Sequence, residues 1–433
     1  MSLTIINQPI FQSVTEPSSS TSSVLNEARK LALSTIQENG LATKNHEDYR
    51  YLNFSNIYNQ TFSADNSSTI ISNQEFANLI PAFENVNLLV ITNGIFREDL
   101  SKVITDNKAI TISTLHEAIK NNLLIVEKYI GTKTDKNDPF VAFNTAYSND
   151  GLFIHVPAKS VVETTTVVVH ITDNQTGNKI LAQNRNLFIL EKHSNSQVIE
   201  FHISLGNEVS FNNHVTEIFV EENAHFEHYT VQNEQEKIAQ VNTTQVHQLR
   251  DSVYSNATFT FNGNIVRNNT NTILDAENIE ANLWGLFMPS GSSVIDNHTV
   301  VDHAKPHCNS NELYKGVLND KGTGVFNGKI FVRQDAQKTN AFQSNRIILL
   351  SDEATINTKP QLEIFADDVK CSHGATSGQL DTESLFYLRS RGLSEKSAKA
   401  LLVNAFASEV LENINNETLK NYLIEQLSLK LPY

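Results

Sequence analysis

The sequence predicts a mainly β protein with helical regions at both ends. Across residues 138–380, segments rich in Val, Ile, Thr and Phe are separated by Asn, Asp and Gly, and no amphipathic helix stands out. Helical periodicity is present before this stretch and returns after it. A β region of this length predicts a sandwich, a barrel or a solenoid, and without a strict repeat the pattern leaves all three open. We therefore divide the chain into a mostly helical N-terminal region, a β core and a C-terminal helical domain, residues 1–137, 138–380 and 381–433.

The N-terminal region contains two helix signals and one strand signal. A helix is predicted to begin at Ser23 and to end at Gly40. Residues 86–96 predict a buried strand followed by a turn. A capping box at residues 114–117 predicts a second helix that runs toward Gly131.

The β core is represented by the segment 199–205, in which Ile, Phe and Leu alternate with Glu200, His202 and Ser204. This alternation predicts a half-buried strand with an exposed polar face. Twelve of the fourteen histidines lie between His155 and His373, mostly in such segments. We therefore expect them on exposed strand faces rather than among metal ligands.

The C-terminal domain predicts three helices. The first ends at Gly392, the second begins after Ser394, and the third begins at Asn416. Residues 381–433 are too few to build a core of their own. The helices must therefore dock on the β region or on a partner.

The composition excludes several classes of function. The 433 residues carry a formal charge of −15 and contain no block of Lys and Arg, so a nucleic-acid partner is not expected. No apolar run approaches the roughly 18 residues of a membrane span. Residues 1–16 show no export signal, and two cysteines do not make a disulfide scaffold, so we expect a cytoplasmic protein. Two cysteines are also too few for a four-thiolate iron–sulfur site.

The end of the β core carries the candidate ligand pair. Cys371 and His373 lie two residues apart, so an extended backbone places both on one face. Thiolate and imidazole are ligands of soft and borderline metals, although such a pair alone is more typical of packing or hydrogen bonding. Gly374 and Gly378 are expected to free the backbone for a turn, and Asp381 to cap a helix that begins at the next residue.

A second dense cluster lies at residues 302–308, where His303, His307 and Cys308 surround a proline. The β context favours polar groups at a strand end, and a metal-contacting role is the alternative. The role of these three residues stays open from sequence.

A glycine-rich segment at residues 322–330 invites a nucleotide-binding interpretation. Its spacing matches neither the dinucleotide motif nor the P-loop, and Ile330 stands where a P-loop has Ser or Thr. A strand and a turn are predicted instead, and no ATP site is expected in this chain.

The last third of the chain contains five long motifs. They are residues 297–303 (NHTVVDH), 310–316 (SNELYKG), 324–329 (GVFNGK), 334–341 (QDAQKTNA) and 370–392, which ends in LFYLRSRG. With these motifs the chain resembles the SufB/SufD scaffold family of the SUF iron–sulfur cluster assembly system. Residues 41–54 also resemble a degraded form of an N-terminal family motif, with Ala42 in place of a proline. The segment CSHGAT and the low cysteine count favour the SufD branch over the SufB paralogue.

The resemblance implies a right-handed β-helix core flanked by the two helical domains. It implies a non-enzymatic scaffold that pairs with SufB through the end of the β-helix and binds the ATPase SufC through the C-terminal helices. The chain alone is expected to be a homodimer with no stably bound cofactor, and a transient iron–sulfur cluster is expected in the complex. His373 maps onto the family's key histidine and Cys371 onto its neighbouring cysteine.

Three alternatives remain beside this interpretation. The chain could be a SufB-like paralogue, or a structural β-helix homo-oligomer without a metal role. A polysaccharide-acting β-helix enzyme is disfavoured, because no export signal is present and the helical C-terminus would have no explanation. The cluster type, the full ligand set and any flavin or other iron donor are not determined by the sequence.

Overall fold

The structure is a computed structural model that describes residues 8–14, 20–63, 71–106, 108–148 and 150–431. Of the segment considered for an export signal, residues 1–7 and 15–16 lie outside this part of the chain. The described chain is mainly β, with 40% strand and 23% helix, which confirms the predicted class.

The described α-helices fall into an N-terminal group of seven and a C-terminal group of three. None of the described helices is long and apolar enough to cross a membrane. In chain order they are α1 Pro9–Gln12, α2 Ser23–Asn39, α3 Ser55–Tyr58, α4 Asn73–Ala77, α5 Leu115–Asn121, α6 Leu123–Tyr129, α7 Pro139–Tyr147, α8 Thr382–Ser390, α9 Glu395–Leu411 and α10 Glu417–Lys430.

The described strands, numbered in chain order, form two large sheets. The first sheet contains β1 Asn87–Thr92, β2 Ile95–Phe96, β5 Thr166–Asp173, β8 Asn195–Leu205, β10 His225–Asn233, β12 Val253–Asn262, β14 Glu280–Phe287, β16 Asn309–Leu318, β18 Asn340–Leu349 and β21 Lys370–Gly378. The second sheet contains β3 Thr111–Thr114, β4 Leu152–Val156, β6 Leu181–Ala182, β7 Arg185–Leu190, β9 Ser210–Val220, β11 Ile238–Gln248, β13 Ile265–Leu274, β15 Val294–His303, β17 Thr323–Val332, β19 Thr355–Thr358 and β20 Gln361–Ile364.

The chain alternates between the two sheets and so forms a parallel β-solenoid of about seven turns, which confirms the predicted β-helix. Within the described residues, only the β1–β2 and β3–β4 pairs are antiparallel. Among the parallel pairs from β4 onward, the offset between paired residues of neighbouring turns varies from 26 residues (Ala239 with Ile265) to 34 residues (Phe153 with Leu187). Because the turns differ in length, the sequence shows no strict period.

One corner of the solenoid is built from residues with left-handed backbone. The N–H of His193 donates to the Glu222 carbonyl at 2.9 Å, and that of Asn223 donates to the Arg250 carbonyl at 2.8 Å. Short polar residues such as Asn and Asp tolerate this conformation best. The corner residues are His193, Asn223, Asp251, Asn278, His307 and Lys338, with φ between 54° and 62°.

Both faces of the first sheet are covered at β8, and this corrects the prediction for residues 199–205. Ile199 and Phe201 point outward and pack against α9 and α10, in a cluster that includes Leu411 and Leu423. The alternating polar residues, Glu200 among them, therefore point into the solenoid and are buried. Parallel sheets normally have both faces covered, so the alternation marked two buried environments rather than core and solvent.

The polar interior is held by hydrogen bonds between turns. Asn212 donates to Thr172 at 2.7 Å, and Asn268 donates to Asn297 at 3.0 Å. Gln232 donates to Asn268 at 2.8 Å. Buried amide and hydroxyl groups stay buried at low cost only when they are paired in this way.

The N-terminal region agrees with the sequence in its caps but not in every boundary. Helix α2 begins at Ser23, and the capping box at Thr114 is present. The predicted helix toward Gly131 is divided at Asn122 into α5 and α6. The predicted division at residue 138 stays a prediction, and β1 and β3, which precede it, belong to the two sheets.

Helix α7 was not predicted, because it lies at the start of the stretch interpreted as all β. Asp138 caps it by accepting from the N–H groups of Phe140 and Val141, and Pro139 occupies its first turn. Most of its residues are buried, and the buried residues are distributed all around the helix. An all-round apolar segment of nine residues has no amphipathic period, so the pattern did not distinguish it from a strand.

Candidate functional site

Cys371 and His373 lie on β21, the last strand of the first sheet. Cys371 pairs with Ala341 and His373 with Gln343 on β18. On its other side, β21 has no strand partner within the described ranges. The last strand of the solenoid is therefore an open edge that carries both candidate ligands on one face, as an extended backbone requires.

The backbone around the pair differs from the expectation in one respect. Gly374 and Gly378 were expected to form a turn, but both lie within the strand. A Cβ added at either glycine would meet nothing within 4 Å. The turn prediction is wrong, because strand pairing with β18 continues through Gly378. Asp381 caps α8 as predicted, accepting from the Ser384 N–H at 2.8 Å.

The two candidate ligands differ in burial. The Cys371 side chain is partly buried against a small apolar cluster that includes Ile330 and Val332, and burial raises the pKa of its thiol. The His373 side chain is exposed. Among the described residues, no third His, Cys, Asp or Glu joins this pair in a metal-sized group. The described residues therefore offer at most two ligands here.

Exposed apolar residues surround the open end. Phe342 on β18 is 46% exposed, and Phe365, just after β20, is 58% exposed. Large exposed apolar side chains at one end of a fold are typical of an interaction surface.

The second cluster, residues 302–308, is dispersed by the fold. His303 lies inside the solenoid at 2.9 Å from the Ser310 hydroxyl, and burial lowers its pKa to about 4. His307 occupies the left-handed corner and is exposed. The Cys308 thiol is buried and donates to the Ala276 carbonyl, and burial raises its pKa to about 11. The structure supports the interpretation as polar groups at a strand end.

The glycine-rich segment 322–330 lies mainly in β17, which confirms the strand prediction. A Cβ at Gly324 would lie 2.9 Å from the Phe287 ring, and one at Gly328 would lie 2.3 Å from the Gln343 amide. The absence of a side chain at Gly324 and Gly328 therefore lets Phe287 and Gln343 pack closely against β17.

The expectation that the core histidines are exposed is wrong for five of them. His170, His202, His214, His228 and His303 are buried. His170 and His228 both lie against Glu200, at 2.8 Å and 2.6 Å. Burial alone would raise the pKa of Glu200, but hydrogen bonds from these two histidines hold it well below its usual range. Sequence reasoning missed this cluster. Its only signal was that Glu and His occupy alternating positions of a predicted strand, as Glu200 and His202 do.

Two other interior carboxyl groups have strongly raised pKa values. Burial raises the pKa of Glu234 and of Glu312 to about 7, despite hydrogen bonds from Thr172 and Asn212 to the first and from Gln343 to the second. Glu312, Gln343 and His373 occupy paired positions on neighbouring strands, so the polar interior leads to the open end.

These carboxyl groups predict an unusual dependence of stability on pH. A folded pKa above the unfolded one stabilises the fold fully below about pH 4.5, and this contribution is lost as pH rises through about 7. Each group should cost on the order of 3 kcal/mol at pH 8. We expect the Glu234→Gln/Glu312→Gln variant to gain unfolding free energy over wild type at pH 8 but not at pH 5. Urea titrations measure the unfolding free energy at the two pH values. An equal difference between variant and wild type at both would contradict the raised pKa values of Glu234 and Glu312.

Comparison with known proteins identifies the family. The family model described as "SUF system FeS cluster assembly, SufBD core domain" matches residues 170–406, and that described as "SufBD protein N-terminal region" matches residues 10–168. The chain is 31% identical over 407 residues to the iron–sulfur cluster assembly protein SufD of Escherichia coli, covering 92% of each chain.

Two further relatives agree with this match. The chain is 33% identical over 350 residues to an iron–sulfur cluster assembly SufBD family protein of Synechocystis, covering 79% of this chain and 77% of the relative. It is 28% identical over 338 residues to SufD of Bacillus subtilis, covering 77% and 76%. The chain therefore belongs to the SufB/SufD family of SUF-system iron–sulfur cluster assembly proteins, and within that family it is SufD-like.

Proposed function

We propose that this chain is a non-enzymatic scaffold subunit that pairs with SufB through the end of the solenoid and binds the ATPase SufC through its C-terminal helices. The nascent iron–sulfur cluster is the cargo of the complex, held transiently between the two scaffold subunits. In this proposal the chain alone holds no resident cofactor and forms a homodimer.

The open edge of β21 is the observation that carries the proposal. An exposed edge strand presents unpaired backbone groups, and proteins normally cover such edges. Here the edge lies beside exposed Phe342 and Phe365, and the two strand glycines leave space for a close approach. A second β-solenoid is a suitable cover, because its own terminal strand can pair with β21.

The ligand count favours a shared cluster site. An iron–sulfur cluster commonly has four protein ligands, and this chain offers two at the open end. We assign His373 as the ligand, because its exposed imidazole can reach a partner's surface. Cys371 has a supporting role, because its thiol is partly buried and its raised pKa disfavours the thiolate. The remaining ligands would come from SufB.

The C-terminal helices provide a separate surface for SufC. Helices α9 and α10 bury Val403, Leu411 and Leu423 against the first sheet. Helix α8 has no buried residue, and Phe386 and Tyr387 on it are 73% and 57% exposed. An aromatic pair of this kind is a typical anchor of a protein interface.

Phe386→Asp is expected to weaken the binding of SufC by roughly ten- to a hundred-fold, because it removes an apolar anchor and buries a charge. Calorimetric titration of purified SufC into the chain measures this change. Leu124→Asp is the matched control, since Leu124 is 84% exposed on α6. Equal affinities for the two variants would place the SufC surface elsewhere.

Co-expression with SufB and SufC tests the proposal as a whole. The complex is purified anaerobically, its mass is measured by light scattering, and iron and sulfide are added while visible absorbance is recorded. Gly374→Lys should prevent pairing with SufB without disturbing this chain, since nothing lies within 4 Å of an added Cβ. Leu124→Lys should pair normally. If the wild-type chain associates only with itself and gains no cluster absorbance, the structural homo-oligomer is the better interpretation.

A further inference from the structure

Three buried histidines converge inside the solenoid, away from the open end. His170 on β5 pairs with His202 on β8 in the first sheet, and His214 lies on β9 in the second sheet. The rings of His170 and His202 stack with centroids 4.5 Å apart and planes 5° apart. The His214 ring lies 5.1 Å and 5.3 Å from them. One ring nitrogen from each histidine lies within 4.8 Å of those of the other two.

The three rings carry unsatisfied polar atoms. Each is at least 94% buried, since their exposed fractions are 5%, 3% and 6%. The Nδ1 atoms of His170, His202 and His214 have no hydrogen-bond partner within the part of the chain that the structure describes. Buried polar atoms are normally paired, so three unpaired ring nitrogens in one place indicate a missing common partner.

Glu200 determines which nitrogen of His170 is available. Its Oε2 lies 2.8 Å from the Nε2 of His170, and its Oε1 lies 2.6 Å from the Nε2 of His228. An ionised carboxylate can only accept hydrogen bonds, so the Nε2 of His170 must be the donor. His170 therefore carries its hydrogen on Nε2 and its lone pair on Nδ1. A carboxylate that orients a histidine in this way is typical of metal sites.

We propose that His170, His202 and His214 bind one divalent first-row transition-metal ion inside the solenoid. Three imidazoles without a thiolate suit Zn²⁺, Fe²⁺ or Co²⁺. The Nδ1 atoms of His202 and His214 have no hydrogen-bond partner among the described residues, so no described protein group competes with an ion for them. The site uses none of the residues assigned to cluster assembly and does not depend on that proposal.

The local geometry can accept an ion. Metal–imidazole bonds of about 2.0–2.1 Å place two ligand nitrogens of a tetrahedral ion about 3.4 Å apart. The converging ring nitrogens lie within 4.8 Å of one another, so they need to approach by at most about 1.4 Å. A cavity of about 20 Å³ adjoins the cluster and is lined by Glu200, His202, His214 and the hydroxyl-bearing Thr216. This volume holds one water, which is sufficient for a fourth ligand.

Cobalt binding tests the proposal in a chain whose exposed ligand pair has been removed. The Cys371→Ser/His373→Ala protein is produced in cobalt-supplemented minimal medium, and its bound metal is measured by elemental analysis and visible absorption. We expect one equivalent of Co²⁺ with the bands of an ion bound by imidazoles. His202→Gln in the same background should lose it, and His225→Gln should retain it, since His225 lies exposed on β10.

Affinity for the ion distinguishes an orienting carboxylate from a ligand. Glu200→Gln should weaken Co²⁺ binding by about 10–100-fold while the absorption bands keep their shape. Should His202→Gln fail to fold, crystals of the parent protein grown with Co²⁺ replace that comparison, and anomalous density between the three rings supports the site. Absence of bound cobalt in the parent protein, or density elsewhere only, would overturn the proposal.

Discussion

Cluster absorbance is expected to fall at least about ten-fold in the His373→Ala variant of the co-expressed complex, while the mass of the complex stays unchanged. His373 is exposed on the open edge strand, and its removal takes away one of the two ligands that this chain can offer. Loss of even a residue that only orients a ligand commonly costs 10–100-fold in metal affinity, so loss of a ligand should cost no less. Anaerobic reconstitution with iron and sulfide, followed by visible absorbance and light scattering, measures both quantities.

Two further variants are compared with His373→Ala in the same experiment. His225→Ala removes an exposed histidine from a strand in the middle of the solenoid and should leave the absorbance at the wild-type level. Cys371→Ser should reduce the absorbance by less than His373→Ala, because its thiol is partly buried and its pKa is raised. An intact complex with full absorbance in His373→Ala would reduce His373 to part of the interface, and the ligands would then be sought on the SufB side.

The unfolding free energy is expected to fall by about 3–5 kcal/mol in Arg267→Met, which is the typical loss when one partner of a buried ion pair is removed. Arg267 is fully buried on β13, and its guanidinium lies 2.8 Å from Asp296. It also donates to the Asp48 carbonyl at 2.7 Å and covers the Tyr49 ring at 4.6 Å. The same side chain therefore neutralises an interior carboxylate and holds the N-terminal segment on the solenoid.

Asp296 explains why the effect should be large. Burial alone would raise the pKa of Asp296, but the charges of Arg267 and then His298 hold it below its usual range. Without Arg267, the buried carboxylate loses its guanidinium partner and retains the His298 imidazole at 3.1 Å, whose own pKa is lowered by burial. Adding Asp296→Asn to Arg267→Met should recover part of the loss, because it removes the uncompensated charge.

Urea unfolding followed by the fluorescence of Trp284 measures these differences, since Trp284 is the single tryptophan of the chain. Arg333→Met is the matched control. Arg333 makes a bidentate pair with Asp302 at the surface, and exposed pairs contribute about 1 kcal/mol or less. Indistinguishable losses in Arg267→Met and Arg333→Met would contradict a stabilising role for the buried pair.

Local chemistry made several features predictable from the sequence alone. The capping box at residues 114–117 and the cap at Asp381 depend on side chains within three residues of the helix start. The common face of Cys371 and His373 depends only on an extended backbone. The mainly β core with helical ends followed from periodicity, and the resemblance of the last third supplied the β-helix, because long motifs such as NHTVVDH carry more information than alternation does.

Only the tertiary structure decided which side of each strand is the interior. Alternation in residues 199–205 marked the polar face correctly but could not show that α9 and α10 cover the apolar face from outside. Turn lengths that vary from 26 to 34 residues concealed the repeat. His170, His202 and His214 lie on three strands of two sheets, and they meet only because stacked turns place distant residues side by side. Periodicity reports burial along one strand, whereas a shared site depends on how the strands are stacked.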